Sequence, residues 1–270
     1  MERSGETTRA QPAAGLDEAA VVAARERLAL AGCVAADEEA DDLASAAPDA
    51  VALEALVARR VRGEPLAWIT GRIAFCGAPV RTERHVYVPR VQTEELARRA
   101  AALLPPGGRA ADLCTGAGAV AAHLGRAVPA ASVVATDLDG DAAACARRNG
   151  VAVVLTDLDA GLRSGAFDVV TAVTPYVPTG AIRLLPADVQ RYEPRTALDG
   201  GADGLDVVRR LVPGAARLLV PGGWLLTEIG GEQDRTVGPL LEAAGFGPPV
   251  FWHHEDGDLR GVAAARLAPR

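Results

Sequence analysis

The segment Asp112-Leu113-Cys114-Thr115-Gly116-Ala117-Gly118 joins an acid, a thiol and a hydroxyl to two glycines where a short apolar strand gives way to a helix. Glycines at such a turn let a ligand approach the backbone, and the helix start presents amide donors. With Ala121 the spacing also satisfies the dinucleotide pattern G-x-G-x-x-G/A. Asp137 closes the next strand, Val133-Val134-Ala135-Thr136-Asp137, and is followed by Leu138. An acid about 20 residues beyond the glycines can accept hydrogen bonds from both ribose hydroxyls. Its neighbours Asp139 and Asp141 suit a helix cap instead. Asp157, followed by Leu158, ends the third strand, where it either reaches an adenine amino group or serves as a turn residue. These positions admit NAD(P) and S-adenosylmethionine (SAM) alike. The fourth strand ends in Val173-Thr174-Pro175-Tyr176, which offers a rigid aromatic wall and a carbonyl freed from the ladder. No dehydrogenase acid–base set follows, which favours SAM. An NAD(P)-binding module built on Gly116, Gly118, Ala121 and Asp137 is the alternative.

The elements that position these residues are legible as a pattern. From Arg109 onward strands alternate with helices: Ala110–Leu113, Gly118–Ala127, Ser132–Thr136, Gly140–Arg148, Val151–Leu155, Val169–Val173, Leu205–Leu219, Trp224–Ile229 and Thr236–Ala244. Val250–His253 and Val262–Leu267 add an antiparallel edge pair. Repeated strand–helix units predict a parallel, doubly wound α/β sheet with ligands at the carboxyl ends of its strands. Upstream, residues 1–14 read as a disordered tail. Residues 15–64 read as a small domain of three helices, one beginning at Pro48-Asp49. Residues 65–90, punctuated by glycine and proline, read as a β-hairpin linker turning at Cys76-Gly77-Ala78-Pro79. Residues 91–270 carry the cofactor domain, opened by a helix from Thr93. Residues 177–203 read as a long loop over the substrate. Glu193 and Arg195 are expected to pair beneath it.

Composition narrows the function. The 270 residues are 49% hydrophobic but only 4% aromatic, so Ala, Val and Leu must build the core. All 28 basic residues are arginine, which excludes Schiff-base and lysine-base chemistry. A net charge of −7 argues against a nucleic-acid or anionic-membrane partner. The four cysteines, Cys33, Cys76, Cys114 and Cys145, form no CxxC pair and fit a reducing cytoplasm. His253 and His254 beside Glu255-Asp256 lack a third spaced metal ligand. The polar start has no signal-peptide core, and no apolar run reaches membrane-helix length. No residue pattern sets an oligomeric state.

Over about residues 60–268 the chain resembles the HemK-type class I SAM-dependent methyltransferases, which methylate the glutamine side-chain amide of peptide release factors. The likeness rests on Arg62–Gly71, Val88-Pro89-Arg90-Val91-Gln92-Thr93-Glu94, the Asp112–Gly118 loop, Tyr192–Leu205, Pro221-Gly222-Gly223-Trp224, Glu228-Ile229-Gly230 and Gln233. It implies a Rossmann-like seven-stranded methyltransferase sheet, a helical substrate-recognition domain and a hairpin linker. It also implies SAM as cofactor and a cytoplasmic enzyme. By that resemblance the Gly116–Gly118 turn contacts the amino-acid end of SAM, Asp137 holds its ribose and Asp157 lies by its adenine, with Asp112, Cys114, Thr115, Leu138 and Leu158 also in the cofactor site. Val173, Thr174, Pro175 and Tyr176 line the transfer site.

Two departures stand out. Cys114 replaces a glycine of the family's loop. Val173 and Thr174 replace the first two residues of its Asn-Pro-Pro-Tyr motif; a close branch changes the second residue but keeps the Asn. An amide nitrogen is a poor nucleophile, and in the family the Asn oxygen and a backbone carbonyl hold its NH2 toward the methyl group. Val173 has no acceptor, and an unheld nucleophile loses on the order of 100-fold in rate. Three outcomes are open: Thr174 supplies the oxygen, the acceptor is another nitrogen or heteroatom on a protein or small molecule, or the chain binds SAM without turnover. A working methyltransferase with a changed acceptor is the expectation, and release-factor glutamine methylation the alternative.

Overall fold

The computed structural model describes residues 16–268; the expected tail at 1–14 lies outside them. In chain order the elements are α1 (Glu18–Leu30), α2 (Ala36–Ala46), α3 (Ala50–Val61), α4 (Leu66–Thr70), β1 (Arg72–Phe75), β2 (Ala78–Arg81), α5 (Thr93–Leu103), β3 (Arg109–Leu113) and α6 (Ala119–Ala127). They continue with β4 (Ser132–Asp137), α7 (Gly140–Arg148), β5 (Val153–Leu155), β6 (Phe167–Ala172), α8 (Ala187–Tyr192), α9 (Asp206–Leu218), β7 (Leu219–Glu228), α10 (Asp234–Ala243), β8 (Val250–His253) and β9 (Leu259–Ala265).

Two compact units result. Residues 16–71 and the distant helix α8 form the first. Asp17 and Asp49 cap α1 and α3 by accepting hydrogen bonds from the Ala20 and Ala52 amides, satisfying donors that a helix start leaves open. Leu28, Leu43, Leu53, Val57 and Ile69 form the apolar centre. The Tyr192 hydroxyl donates to the Arg62 carbonyl at 3.0 Å, and the Tyr192 and Trp68 rings meet edge to face at 6.3 Å. The boundary therefore falls at Gly71 rather than at residue 64. The start of the expected hairpin linker is the helix α4, closed by Gly71 in the left-handed region (φ 75°). The expected loop 177–203 is likewise broken by α8, which belongs with the helices.

The second unit holds the hairpin β1–β2 and a seven-stranded sheet in the order β5-β4-β3-β6-β7-β9-β8. The strands β5, β4, β3, β6 and β7 pair in parallel, and β9 and β8 close the edge antiparallel. The central strands are Ala- and Val-rich because both faces are covered. One face packs under α5 and α6 through Leu96, Ala100, Val120, Leu124, Val169 and Leu226. The other packs against α9 and α10 through Leu211, Val212, Leu218, Val237 and Leu241. The hairpin turns at Cys76-Gly77 as expected. The strand expected from Trp224 begins earlier, at Leu219, with a register irregularity against β6 around Pro221 to Gly223.

Candidate functional site

The central strands β3, β4 and β6 deliver their carboxyl ends to one edge. Asp112, only 2% exposed, receives the Thr115 hydroxyl on one oxygen at 2.6 Å and the Thr171 hydroxyl on the other at 2.7 Å. Burial nevertheless pushes its carboxyl up to about 6. The folded state thus holds this proton more tightly than the unfolded chain. The cost of ionisation is absent below about pH 4 and complete above pH 6, so stability falls as pH rises through that window, by about 3 kcal/mol. Asp112→Asn is expected to flatten that slope and to raise the melting temperature at pH 7.5, as thermal melts across pH 4–8 would reveal.

The turn after β3 carries Cys114 at φ 55°, Gly116 at φ 57° and Gly118 at φ 81°. The glycine-to-Cys departure therefore falls in left-handed backbone, which costs an L-residue about 1–2 kcal/mol. Burial and the nearby carboxylates of Asp137, Asp112 and Asp157 push the Cys114 thiol up and keep it neutral. A Cβ on Gly118 would lie 2.9 Å from Ala146 Cβ and 3.1 Å from Val151 Cγ2, so this glycine lets α6 start against α7. The Gly116 amide donates to one oxygen of Asp137 at 2.8 Å and the Asp139 amide to the other at 2.9 Å. Each oxygen keeps a lone pair for a further donor. Burial raises this carboxyl too. Leu138, 72% exposed, forms an apolar rim beside it. Leu158 is buried at φ 46°, its carbonyl accepting from the Thr136 hydroxyl. Asp157 lies two residues beyond β5 and is held by Arg210 at 2.5 Å, so its carboxylate is already engaged.

Beyond β6 the side chain of Val173 packs into the apolar cluster under α5. Thr174 is 2% exposed and its hydroxyl has no hydrogen-bond partner. The segment 198–205 braces this stretch: the Val177 amide donates to the Leu198 carbonyl, and the Gly200 amide to the Val177 carbonyl. Gln233 donates its amide nitrogen to the carbonyls of Tyr176 at 3.0 Å and Asp203 at 3.1 Å, and accepts from the Gly230 amide at 2.9 Å. Burial and Glu228 push the Tyr176 phenol upward. The expected Glu193–Arg195 pair does not form. Glu193 instead pairs with Arg90 at 2.5 Å, and Arg195 with Asp199 at 3.1 Å. Arg90 also stacks on Tyr87, whose phenol burial pushes up to about 12. His254 pairs with Asp256 at 2.9 Å in the β8–β9 turn. Among the described residues no three His, Cys, Asp or Glu side chains gather for a metal.

The open lone pairs on Asp137, the left-handed Gly116 to Gly118 turn and the exposed Leu138 fit a SAM molecule lying along the strand ends. With the strand order, they define a Rossmann-like SAM-dependent methyltransferase. A solved ribosomal protein L11 methylase from Lactobacillus delbrueckii subsp. bulgaricus shares the fold, with TM-score 0.51 and 19% identity, covering 70% of this chain and 86% of that one. A T. Thermophilus 16S rRNA N2 G1207 methyltransferase, solved with AdoMet and guanosine, gives 0.50 at 20% identity over 73% of this chain and 44% of that one. No family model matches the chain. Release factor glutamine methyltransferases do. That of Geobacter sulfurreducens is 39% identical, covering 72% of this chain and 71% of its own length. That of Moorella thermoacetica is 43% identical over 69% of each chain. That of Cereibacter sphaeroides is 37% identical over 93% of each. The chain belongs to the release factor glutamine methyltransferase (HemK) family and is a SAM-dependent N-methyltransferase. None of its described helices is long and apolar enough to cross a membrane.

Proposed function

We propose that this methyltransferase acts on a nitrogen acceptor other than the glutamine amide named for its relatives. The observation that carries this reading is Val173: its side chain packs into the apolar cluster, where it offers no oxygen to an N–H group. The residues proposed to hold SAM are Asp112, Cys114, Thr115, Gly116 and Gly118 at its amino-acid end, Asp137 and Leu138 at the ribose, and Asp157 and Leu158 toward the adenine. SAM supplies an electrophilic methyl group on a sulfonium. Thr174, Pro175 and Tyr176 shape the acceptor side, with the Tyr176 carbonyl fixed by Gln233. Residues 15–64, with their extension to Gly71, are proposed to recognise the acceptor, a protein or a small molecule. Four cysteines outside any disulfide support action in the cytoplasm.

The names of the relatives favour a second reading: methylation of a release factor at glutamine. One assay separates the two. Tritiated methyl transfer to a Gly-Gly-Gln peptide is expected to be weak with the wild-type chain. Val173→Asn, which restores an acceptor oxygen, is expected to raise it about 100-fold. An efficient wild-type rate that Val173→Asn does not improve would overturn the changed-acceptor reading.

A further inference from the structure

The reaction leaves one buried ionisable group unused. Glu228 ends β7, is 3% exposed, and neither of its carboxylate oxygens has a hydrogen-bond partner. An unsatisfied buried carboxylate is costly, and one in a native structure calls for an explanation, a catalytic role among them. Its location is specific. Ala172 pairs with Thr227, so Glu228 lies one step beyond, alongside Val173. Strand alternation puts Glu228 on the face of Trp224 and Leu226, which is also the face where Val173 packs under α5. The unpartnered hydroxyl of Thr93, at the start of α5, faces the same carboxyl, as does the Tyr176 phenol.

Two cations lie near it. Arg90 is paired with Glu193, and Arg260 reaches Asp258 at 3.3 Å and Asp256 at 3.6 Å through Nη2, its buried Nε having no hydrogen-bond partner. Tyr87 and Tyr176 are neutral phenols held up by burial. A carboxylate alongside Val173 that neither arginine pairs with is suited to an incoming cation that carries N–H donors.

We propose that Glu228 receives the methyl acceptor, and that the acceptor is a primary amine arriving as its ammonium ion. This rests on the changed-acceptor reading and deepens it. The step balances as follows. One ammonium proton passes to the Glu228 carboxylate, leaving a neutral amine and a carboxylic acid. The nitrogen lone pair then bonds to the methyl carbon, and the carbon–sulfur bond breaks with its electron pair staying on sulfur. The products are a thioether and a methylated ammonium. Glu228 loses its proton to water as they leave. A carboxyl whose proton affinity burial raises above the usual carboxylate range is matched to that exchange.

The test is calorimetric and needs no turnover. The full chain, loaded with S-adenosylhomocysteine, is titrated with propylammonium chloride and, separately, with propionamide. The ammonium is expected to bind about 10-fold or more tightly than the amide at pH 8, and Glu228→Gln to erase the preference. In the wild-type chain alone the preference must also shrink as the pH falls and the carboxylate takes up its proton. This arm stands even if the variant folds poorly. Equal affinity of the two probes at pH 8, including no binding of either, overturns the assignment, as does a preference that survives in folded Glu228→Gln. If the Gly-Gly-Gln peptide is refused and the ammonium preference is absent, only the role of Glu228 fails. Efficient wild-type methylation of that peptide, unimproved by Val173→Asn, removes the reading beneath it.

Discussion

Asp137→Ala is expected to weaken SAM binding by about 100-fold or more while leaving the chain folded. The carboxylate does two jobs. It fixes the Gly116 and Asp139 amides, one on each oxygen, and its remaining lone pairs are proposed to accept from ribose hydroxyls. Hydrogen bonds to a charged group contribute about 1.5–3 kcal/mol each. Losing two corresponds to at least two decades of affinity at about 1.4 kcal/mol per decade. The fold suffers less, because burial opposes ionisation of this carboxyl and its removal relieves that cost. Calorimetric titration with SAM, beside a thermal melt of the unliganded protein, separates the two effects. Retained micromolar binding in the Ala variant would place the cofactor elsewhere. Asp137→Asn, which keeps one acceptor oxygen, is expected to fall between.

Gly204→Ala is expected to damage both stability and turnover. This glycine has φ 79°, and a Cβ there would lie 2.2 Å from the Tyr176 carbonyl oxygen and 2.5 Å from the Gln233 amide nitrogen. These two atoms form the hydrogen bond that fixes the Tyr176 carbonyl, on the proposed acceptor side. Left-handed strain costs about 1–2 kcal/mol, and two displaced Gln233 bonds about 1 kcal/mol each. The melting temperature should drop by roughly 10 °C. A shift of about 1 Å in Tyr176 should reduce kcat about 100-fold. SAM affinity should change little, since the Gly116 turn and Asp137 lie on other strands. Equal losses in SAM binding and turnover would mean that the loop supports the whole edge of the sheet rather than the acceptor side.

What could be read from the sequence was local. The alternation of Val- and Ala-rich runs with helical segments specified the parallel sheet because each run is covered on both faces. Asp49 and Asp139 announced helix starts because a capping side chain acts within three residues of itself. The glycine turn and Asp137 were legible for the same reason: 21 residues separate them, but each sits at the end of its own strand. The partner of Glu193 was hidden because Arg90 is 103 residues away and several arginines compete for the role. Helix α8 was hidden because its six residues, Ala-Asp-Val-Gln-Arg-Tyr, carry too little periodicity to be told from a proline-flanked loop. Glu228 stood within a recognised stretch, but only the register of β6 against β7 put it beside Val173.

The helical unit is completed by a piece of chain drawn from far downstream. Tyr192 supplies a ring to Trp68 and a hydroxyl to Arg62, yet a ribosome working from the amino end delivers it more than a hundred residues later. Domains generally form in the order of their synthesis. Here the contact of Tyr192 with Trp68 must wait until most of the central strands have been translated. Nascent-chain truncations ending before Ala187 should therefore expose that tryptophan to quenchers, and those that include Tyr192 should protect it.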